Sequence, residues 1–491
     1  MQSTAQTSSG SHIRPIGSIG VGEKIGFGLG DFACNLIYAS LSTYLLFFYT
    51  NVFGLSAAAA SLLFFVVRIV DAVTDPFLGF MIDKVDTRWG KYRPFLLFGA
   101  IPFAVLAVLC FTVPSFGGVG KLVYAYVTYI LLSICYTSVN VPYGSLTAAM
   151  TNDQQESVSL TTFRTFLANI GQVVVAFFVP FLSDWLTESF GAATGWQLTM
   201  IVMGTLGGLL LWGCFATTHE RVKVPASHTR IQVKDVFEQL ANNRPLVVLC
   251  VFFFVIYGVK SIVSSTGIYY VTYYVGRPDL VKWYSLAGTL PALLFIPAIP
   301  WLAHRLSKFQ LIILSISADI IGMAGLFLAR PNWIVWIFVF RGIASIGNGM
   351  ISAYMWALIP ECVEYGEYKT NKRMSGVIYA IVGFVFKCGN ALGGMIPGLI
   401  LGATGYVANA TQTDTALHGI VIATTVVPII IYFIAIFSMK FYNLDKETYA
   451  RISAELKERN AAEMEREAQA EREASLMGSA ADESDVTKEE R

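Results

Sequence analysis

The chain has 491 residues, of which 55% are hydrophobic and only 14% are charged. Soluble domains carry roughly a quarter charged residues, so this chain has too little charge to cover the surface of a soluble protein of its length. Apolar runs of about 20 residues, the length that spans a bilayer, recur along the sequence. This pattern excludes a soluble enzyme, and the formal net charge of +1 gives no case for a nucleic-acid partner.

The apolar runs predict twelve transmembrane helices in two groups of six. The first six are expected near residues 26–50, 57–81, 94–114, 122–148, 160–183 and 196–216. The last six are expected near residues 245–274, 284–303, 309–329, 333–359, 376–402 and 416–441. A polar loop separates the groups, as in transporters built from six-span repeats. The expected domains are an N-terminal segment 1–25, a bundle 26–216, a loop 217–244, a bundle 245–441 and a charged tail 442–491.

Lys and Arg residues indicate which way the spans cross the membrane. They collect in the loops on one side, whereas the loops on the other side carry only Lys121, Arg277, Lys282 and Arg330. Because positive loops stay in the cytoplasm, we expect both termini to be cytoplasmic and the protein to lie in a bacterial inner membrane.

The C-terminal tail differs in composition from the apolar spans and is rich in Glu, Ala, Arg and Lys. Tyr449, Ile452 and Leu456 follow one another at helical spacing, which predicts a short amphipathic helix that fades into a polar segment. A solvated tail is favoured over a site for a regulatory partner.

Ionisable side chains inside the predicted spans are functional candidates because they are costly in the bilayer. They are Asp31, Arg68, Asp71, Asp75, Arg164, Lys260, Arg341 and Lys387. The basic residues outnumber the acidic ones, so a cavity lined by all of them would suit an anionic substrate. Some of the basic residues could instead hold the two bundles together or lie near span ends.

Asp71 and Asp75 are four residues apart, so they share one face of a helix with Arg68 and the hydroxyl of Thr74. Two carboxylates this close repel each other, and such a pair can take up a proton or bind Na⁺ through oxygen atoms. The alternative is a structural Arg68–Asp71 ion pair, with Asp75 near irregular backbone before Pro76.

The fourth span ends in a polar segment, Tyr136 to Ser145, which contains Thr137, Asn140 and Pro142. Hydroxyl and amide groups beside a helix-bending proline suit a wet cavity that binds sugar hydroxyls or an ion. The alternative is that these small polar residues join helices to one another.

The motifs together resemble one family, the glycoside–pentoside–hexuronide cation symporters of the major facilitator superfamily. The similar segments are Gly30-Asp31-Phe32, Arg68 to Pro76, Thr87 to Pro94, Tyr136-Thr137, Glu361 to Tyr368 and Lys387-Cys388-Gly389. The resemblance extends from Lys24 to Tyr442 and implies the superfamily fold with twelve helices. The segment Ser138 to Leu146 is most similar to the branch that carries glucuronides.

The resemblance also implies roles for particular residues. Asp71, Asp75 and Thr137 correspond to the cation site, where Na⁺ could bind. Asp31 and Arg164 correspond to the main sugar-binding pair, with Tyr136 and Asn140 beside it. Lys387 and Arg68 are expected to couple the two sites. The loop residues Asp83, Arg88, Lys91 and Arg93 resemble a cytoplasmic gate.

Two departures from the melibiose carrier leave the substrate and the cation open. Thr74 replaces an asparagine of the cation site, so Na⁺ and H⁺ both remain candidates. Asn140 replaces a second sugar-binding aspartate, and Gly144 replaces a tryptophan. An amide in place of a carboxylate removes repulsion toward a uronate.

The sequence therefore predicts a symporter that couples H⁺ or Na⁺ to uptake of a glycoside, with a glucuronide or other anionic glycoside as the first hypothesis. The alternatives are an exporter or a carrier of neutral glycosides or oligosaccharides, and a membrane sensor that does not transport. We expect no cofactor besides the coupling cation, contact with membrane lipid, and a monomer or weak oligomer.

Overall fold

Long helices form the first half of the chain. The computed structural model describes residues 19–83, 85, 87–151, 153–222, 233–370, 374–445, 447–456 and 458–459. The first half consists of α1 (Val21–Phe48), α2 (Ala57–Asp83), α3 (Arg93–Cys110), α4 (Gly118–Met150), α5 (Gln154–Phe190) and α6 (Ala192–Thr217). Each of these helices overlaps one of the first six predicted spans.

A short helix, α7 (Val233–Asn242), leads into the second half. The second half consists of α8 (Arg244–Tyr269), α9 (Val281–Ala287), α10 (Leu290–Phe295), α11 (Ile299–Arg305), α12 (Lys308–Leu328), α13 (Ile334–Met355), α14 (Ile359–Thr370), α15 (Ser375–Ala403), α16 (Asp414–Val421) and α17 (Val427–Met439). A last described helix, α18, covers residues 447–456.

Ten helices of the described residues are long and apolar enough to cross a membrane, and each coincides with a predicted span. The two remaining predicted spans correspond to α2 and to the segment α9–α11. Helix α2 is 27 residues long and carries Arg68, Asp71 and Asp75, which lower its hydropathy. The predicted all-α membrane fold is confirmed, while the expected domain limits stay predictions.

The eighth span is not the single helix that was expected over residues 284–303. It is divided into α9, α10, a 3₁₀ turn at Ile296–Ala298, and α11. Pro291, Pro297 and Pro300 explain the breaks, because proline lacks the N–H that an α-helical hydrogen bond requires.

The ends of α1 and α8 are alike, although they lie in different halves. Helix α1 continues into a π-helical turn at Tyr49–Phe53, and α8 continues into one at Tyr270–Tyr274. A glycine with positive φ follows each turn, Gly54 at 89° and Gly276 at 72°. Two corresponding helices with the same irregular end indicate an internal repeat of a six-span unit.

The two halves meet near these ends, on the side of the membrane where α1 finishes, which we call the opposite side. The hydroxyl oxygens of Thr43 and Ser264 are 2.9 Å apart. Those of Thr50 and Tyr269 are 2.7 Å apart, and the Asn51 amide donates to the Tyr273 hydroxyl. Helices α2 and α15 also contact each other, as do α5 and α9. The halves are therefore joined on the opposite side.

On the other side, where α1 begins and which we call the terminal side, two polar segments pack on the second half. Helix α7 lies in the predicted polar loop, and the amide of Asn243 after it donates to the Cys362 carbonyl at 2.7 Å. In α18, Ile452 and Leu456 are buried beside Tyr365. The predicted amphipathic helix is thus docked, and the tail from residue 460 lies outside the described residues.

Glycines allow α8 and α15 to pack with their backbones in close contact. A Cβ at Gly389 would overlap the carbonyl oxygen of Phe254, and a Cβ at Gly393 would overlap that of Gly258. The two glycines of α15 are four residues apart and share one face, as in small-residue packing motifs of membrane helices.

We expect Gly393→Ala to destabilise the folded protein by about 1–3 kcal/mol, because the added methyl group forces α8 and α15 apart. Thermal unfolding of the purified protein in detergent measures the effect. Gly383→Ala is the matched control, since a Cβ there meets no atom within 4 Å. Equal melting temperatures for the two variants would contradict the packing argument.

Candidate functional site

Asp31 of α1 and Arg164 of α5 form an ion pair between two helices of the first half. The Arg164 Nε atom lies 2.9 Å from Asp31 Oδ2, and the side chains are 28% and 15% exposed. The guanidinium also lies 4.9 Å from the centre of the Tyr143 ring. The two residues of the predicted sugar-binding pair are therefore in contact in the folded protein. The Tyr143 ring adds a cation–π contact to the Arg164 guanidinium.

Close packing of α1 and α5 places this ion pair. A Cβ at Gly28 would come within 2.9 Å of the Phe163 carbonyl oxygen, and a Cβ at Gly171 within 3.2 Å of the Phe32 carbonyl oxygen. These glycines lie on both sides of the pair along the helices, so they let the backbones approach where Asp31 and Arg164 meet.

Arg68 and Asp71 of α2 form a second ion pair, with 3.1 Å between Nη1 and Oδ2. Asp71 is 5% exposed, and its other carboxylate oxygen accepts a hydrogen bond from the Ser133 hydroxyl of α4. Thr137 is buried one turn further along α4, on the same face as Ser133. The Asp71 carboxylate thus faces polar groups of α4.

The other residues of the predicted cation site are arranged differently. The Thr74 hydroxyl donates to the Val70 carbonyl at 2.9 Å, so its proton is used within its own helix. The Asp75 side chain lies outside the described residues. The Arg68–Asp71 ion pair, which the sequence offered as the alternative to a cation site, is present, and the Asp71–Asp75 pair is left as a prediction.

Two tyrosines connect the ion pairs. The Arg68 guanidinium lies 5.7 Å from the centre of the Tyr38 ring, and Tyr38 stacks on Tyr136 with 5.0 Å between ring centres. Tyr136 in turn lies within electrostatic range of Asp31 and Arg164. The sequence did not single out Tyr38 among several aromatic residues of the spans, although it lies two helical turns after Asp31.

Asn140 and Lys387 are the remaining members of the predicted site. Asn140 is partly buried one turn after Tyr136 on α4, and Lys387 is partly buried on α15. Lys387 has an interaction partner. The roles expected for both residues stay predictions.

The predicted gate loop between α2 and α3 is anchored by Glu220, which sequence reasoning missed. The Glu220 carboxylate accepts hydrogen bonds from the backbone N–H groups of Lys91, Tyr92 and Arg93, at 2.8, 2.8 and 3.0 Å. Gly90 has φ +106°, and a Cβ there would lie 2.6 Å from this carboxylate. A carboxylate at the start of α3 is also favoured by the helix dipole.

The basic residues of this loop point to neighbours in the first half. Arg93 donates to the Phe215 carbonyl at 2.7 Å, and the Arg88 guanidinium lies 4.1 Å from the Trp89 ring centre. The Asp83 side chain lies outside the described residues. In this conformation Glu220 and Arg93 tie the loop to the end of α6, and its expected role as a gate stays a prediction.

Asp319 of α12 is a buried carboxylate that the sequence analysis missed. It is 2% exposed and accepts a hydrogen bond from the Tyr432 hydroxyl of α17 at 2.7 Å. Arg341 of α13 lies within electrostatic range of it and 5.2 Å from the Tyr284 ring centre. An aspartate inside the predicted apolar span 309–329 was the signal that could have revealed this cluster.

A model of the family of MFS/sugar transport proteins matches residues 26–446. An uncharacterised symporter of Bacillus subtilis is 54% identical over 89% of this chain and 95% of its own length. The isoprimeverose transporter of Lactiplantibacillus pentosus is 36% identical, over 90% and 92% of the two chains. The glucuronide carrier protein homolog of Escherichia coli is also 36% identical, over 89% and 95%.

Solved structures share the fold at low identity. A bacterial homolog of the lysosomal transporter Spinster, in an inward-facing and occupied conformation, has a TM-score of 0.63 at 13% identity and covers 88% of this chain and 97% of its own. The nucleoside transporter NupG has a TM-score of 0.61 at 14% identity and covers 85% and 99%.

We expect Arg68→Gln to lower the stability of the protein by about 3–5 kcal/mol, because it leaves the buried Asp71 carboxylate without its cation. Arg68→Gln/Asp71→Asn should be more stable than Arg68→Gln, since the unpaired charge is then removed. Thermal unfolding of the wild type, both single variants and the double variant forms a double-mutant cycle. Additive effects would contradict the coupling of the two side chains.

Proposed function

The chain belongs to the family of MFS/sugar transport proteins and is a multi-pass membrane transporter, and we propose that it is a symporter that couples inward movement of H⁺ or Na⁺ to uptake of a glycoside. The observation that carries this proposal is the connection between two intramembrane ion pairs, Asp31–Arg164 and Arg68–Asp71, through stacked Tyr38 and Tyr136. A symporter requires two adjacent sites whose occupancies affect each other.

In the proposed mechanism the cation binds at Asp71 and Asp75, with Thr137 beside them. A bound cation neutralises the carboxylates and changes the balance of charge around Arg68. Because Arg68 contacts Tyr38, and Tyr38 stacks on Tyr136, the change reaches the sugar site. Linkage is reciprocal, so a bound glycoside tightens cation binding by the same factor.

The sugar site in this proposal is formed by Asp31, Arg164, Tyr136 and Asn140. The Asp31 carboxylate accepts hydrogen bonds from sugar hydroxyls, and Arg164 donates them. An amide at Asn140, rather than a second carboxylate, avoids repulsion of an acidic sugar. This supports a glucuronide or other anionic glycoside as substrate.

A neutral glycoside is the second candidate. The relatives include an isoprimeverose transporter and a glucuronide carrier homolog at the same identity, 36%. Isoprimeverose is uncharged and a glucuronide carries a carboxylate, so overall similarity does not favour one class.

Transport requires the site to open to each side of the membrane in turn. The contacts between Thr43 and Ser264 and between Thr50 and Tyr269 would have to separate when the site opens to the opposite side. With both termini in the cytoplasm, as the loop charges predict, that side is the exterior. Rocking of the two halves about the central site then gives alternating access.

A panel of uronides and neutral glycosides, tested in right-side-out vesicles with an imposed H⁺ or Na⁺ gradient, measures the proposed activity. We expect accumulation of a glucuronide against its gradient, driven by one of the two cations. If neither gradient drives accumulation of any glycoside, the symporter proposal is wrong and a non-transporting sensor becomes the better hypothesis. If neutral glycosides outcompete glucuronides, the substrate assignment is wrong.

We expect Asp75→Asn to abolish gradient-driven accumulation while leaving measurable glycoside binding, because it removes a carboxylate from the cation site alone. Asp279→Asn is the control, since Asp279 is 57% exposed and pairs with Arg277 outside the spans. Uptake and equilibrium binding are measured on the same vesicles. Unchanged accumulation in Asp75→Asn would refute the assignment of the cation site.

A further inference from the structure

The basic side chains inside the spans differ in whether an acidic group balances them. Arg164 pairs with Asp31, and Arg68 with Asp71. Arg341 makes no salt bridge among the described residues but lies within electrostatic range of the Asp319 carboxylate, and Lys387 has an interaction partner. In the described part of the chain, Lys260 has no carboxylate within salt-bridge distance, and its Nζ atom lies 5.9 Å from the centre of the Tyr257 ring.

Lys260 lies on the surface of α8 that joins the two halves. Ser264, one turn further along α8, lies 2.9 Å from the Thr43 hydroxyl of α1. Ser261 donates to the Asn390 carbonyl of α15 at 3.0 Å. Lys260 is the 17th of the 26 residues of α8, so its ammonium lies well inside the membrane.

Aromatic side chains lie on α8 and its neighbours close to Lys260. Tyr257, one turn before Lys260, accepts a hydrogen bond from the Trp356 indole at 3.1 Å and packs on Phe386 with 4.9 Å between ring centres. Tyr257 is also within electrostatic range of Tyr38, the ring that contacts Arg68. Lys260 therefore lies on the part of α8 that meets α1, the helix that carries Asp31.

An ammonium without an anion at this depth is unfavourable, so its presence calls for a partner that the described residues do not supply. The Tyr257 ring stabilises the Lys260 ammonium in part through a cation–π interaction, but the ring carries no negative charge. A transported molecule that brings its own anionic group would complete the pair each time it binds.

We propose that Lys260 binds the acidic group of an anionic glycoside and thereby sets the preference for charged substrates. This inference rests on the proposed symport of a glycoside and specifies how the sugar site would select among glycosides. Asp31 and Arg164 of the first half hold the hydroxyl groups, and Lys260 of the second half holds the carboxylate or sulfonate. The substrate then connects the two halves through its two ends.

The test compares a p-nitrophenyl glucuronide with its methyl ester, which has nearly the same shape but no charge. Binding of both to the purified full-length protein is measured by calorimetry, and uptake of both is measured in vesicles. We expect the wild type to bind the acid more tightly than the ester. Lys260→Gln should raise the Kd of the acid roughly 10- to 100-fold, the effect of losing a charged hydrogen bond, and leave that of the ester within about twofold.

Two further variants separate charge from structure. Lys260→Arg should keep the preference for the acid, because it keeps the positive charge. Ser265→Ala is the control on the same helix, since the Ser265 hydroxyl bonds to the backbone of its own helix, 2.8 Å from the Ser261 carbonyl. If Lys260→Gln does not fold, Lys260→Met, which keeps an unbranched chain of similar length, is measured in its place.

The outcomes distinguish this inference from the proposed function. Equal weakening of acid and ester, no change in either, or a wild-type preference for the ester would overturn the role of Lys260 while glycoside symport stands. If Lys260→Gln weakens binding of a sulfonated glycoside by the same factor as binding of the glucuronide, Lys260 recognises the negative charge and not the geometry of the carboxylate. If the wild type accumulates no glycoside under either gradient, the proposed function itself is wrong.

Discussion

A charged side chain inside the hydrocarbon core of a membrane costs several kcal/mol unless another group balances it, and this cost determines which helix surfaces meet. The Asp31–Arg164 pair sets how α1 and α5 are rotated about their axes, because turning either helix would expose a charge to lipid. Asp71 does the same for α2 and α4 through Ser133. In the second half, the Asp319–Tyr432 hydrogen bond relates α12 to α17. Packing then follows from these few polar contacts.

The same constraint places two ion pairs in the first half, with two stacked aromatic rings between them. Asp31 and Tyr38 are seven residues apart on α1, or about 10.5 Å along the helix, so the charges do not touch. The stacked rings of Tyr38 and Tyr136 lie between them, and ring surface in place of water lowers the effective dielectric. A change of charge at Asp71 is therefore less screened at Asp31 than it would be in a wet cavity. This is the physical basis on which cation and sugar binding could be coupled.

The sequence predicts features that depend on local composition, and it fails where the outcome depends on distant partners. The spans followed from apolar length, and the Arg68–Asp71 pair followed from helical spacing. The division of the eighth span could have been read from Pro291, Pro297 and Pro300, but the apolar composition of residues 284–303 concealed it. Glu220 and Tyr38 owe their importance to contacts with residues far along the chain, which no spacing rule reveals. Likewise, only the structure shows that Arg68 and Arg164 pair with carboxylates, whereas Lys260 has none within salt-bridge distance among the described residues.

The contacts that join the halves on the opposite side are neutral, and this bears on how the protein could move. Thr43 with Ser264 and Thr50 with Tyr269 are hydroxyl pairs, and each such bond contributes only about 0.5–1.5 kcal/mol net. Hydroxyl and amide groups released from these bonds can bond to water instead, so separating them leaves no buried charge.

The charged pairs of the terminal side that the structure describes, such as Lys24–Glu156 and Lys308–Glu361, each lie within one half. The packing of α8 on α15 is different, because the two backbones are in close contact at Gly389 and Gly393 and leave no room for water between them. The hydroxyl pairs between the halves can therefore be exchanged for water, whereas the contact of α8 with α15 lies within the second half and would stay intact in a rocking motion.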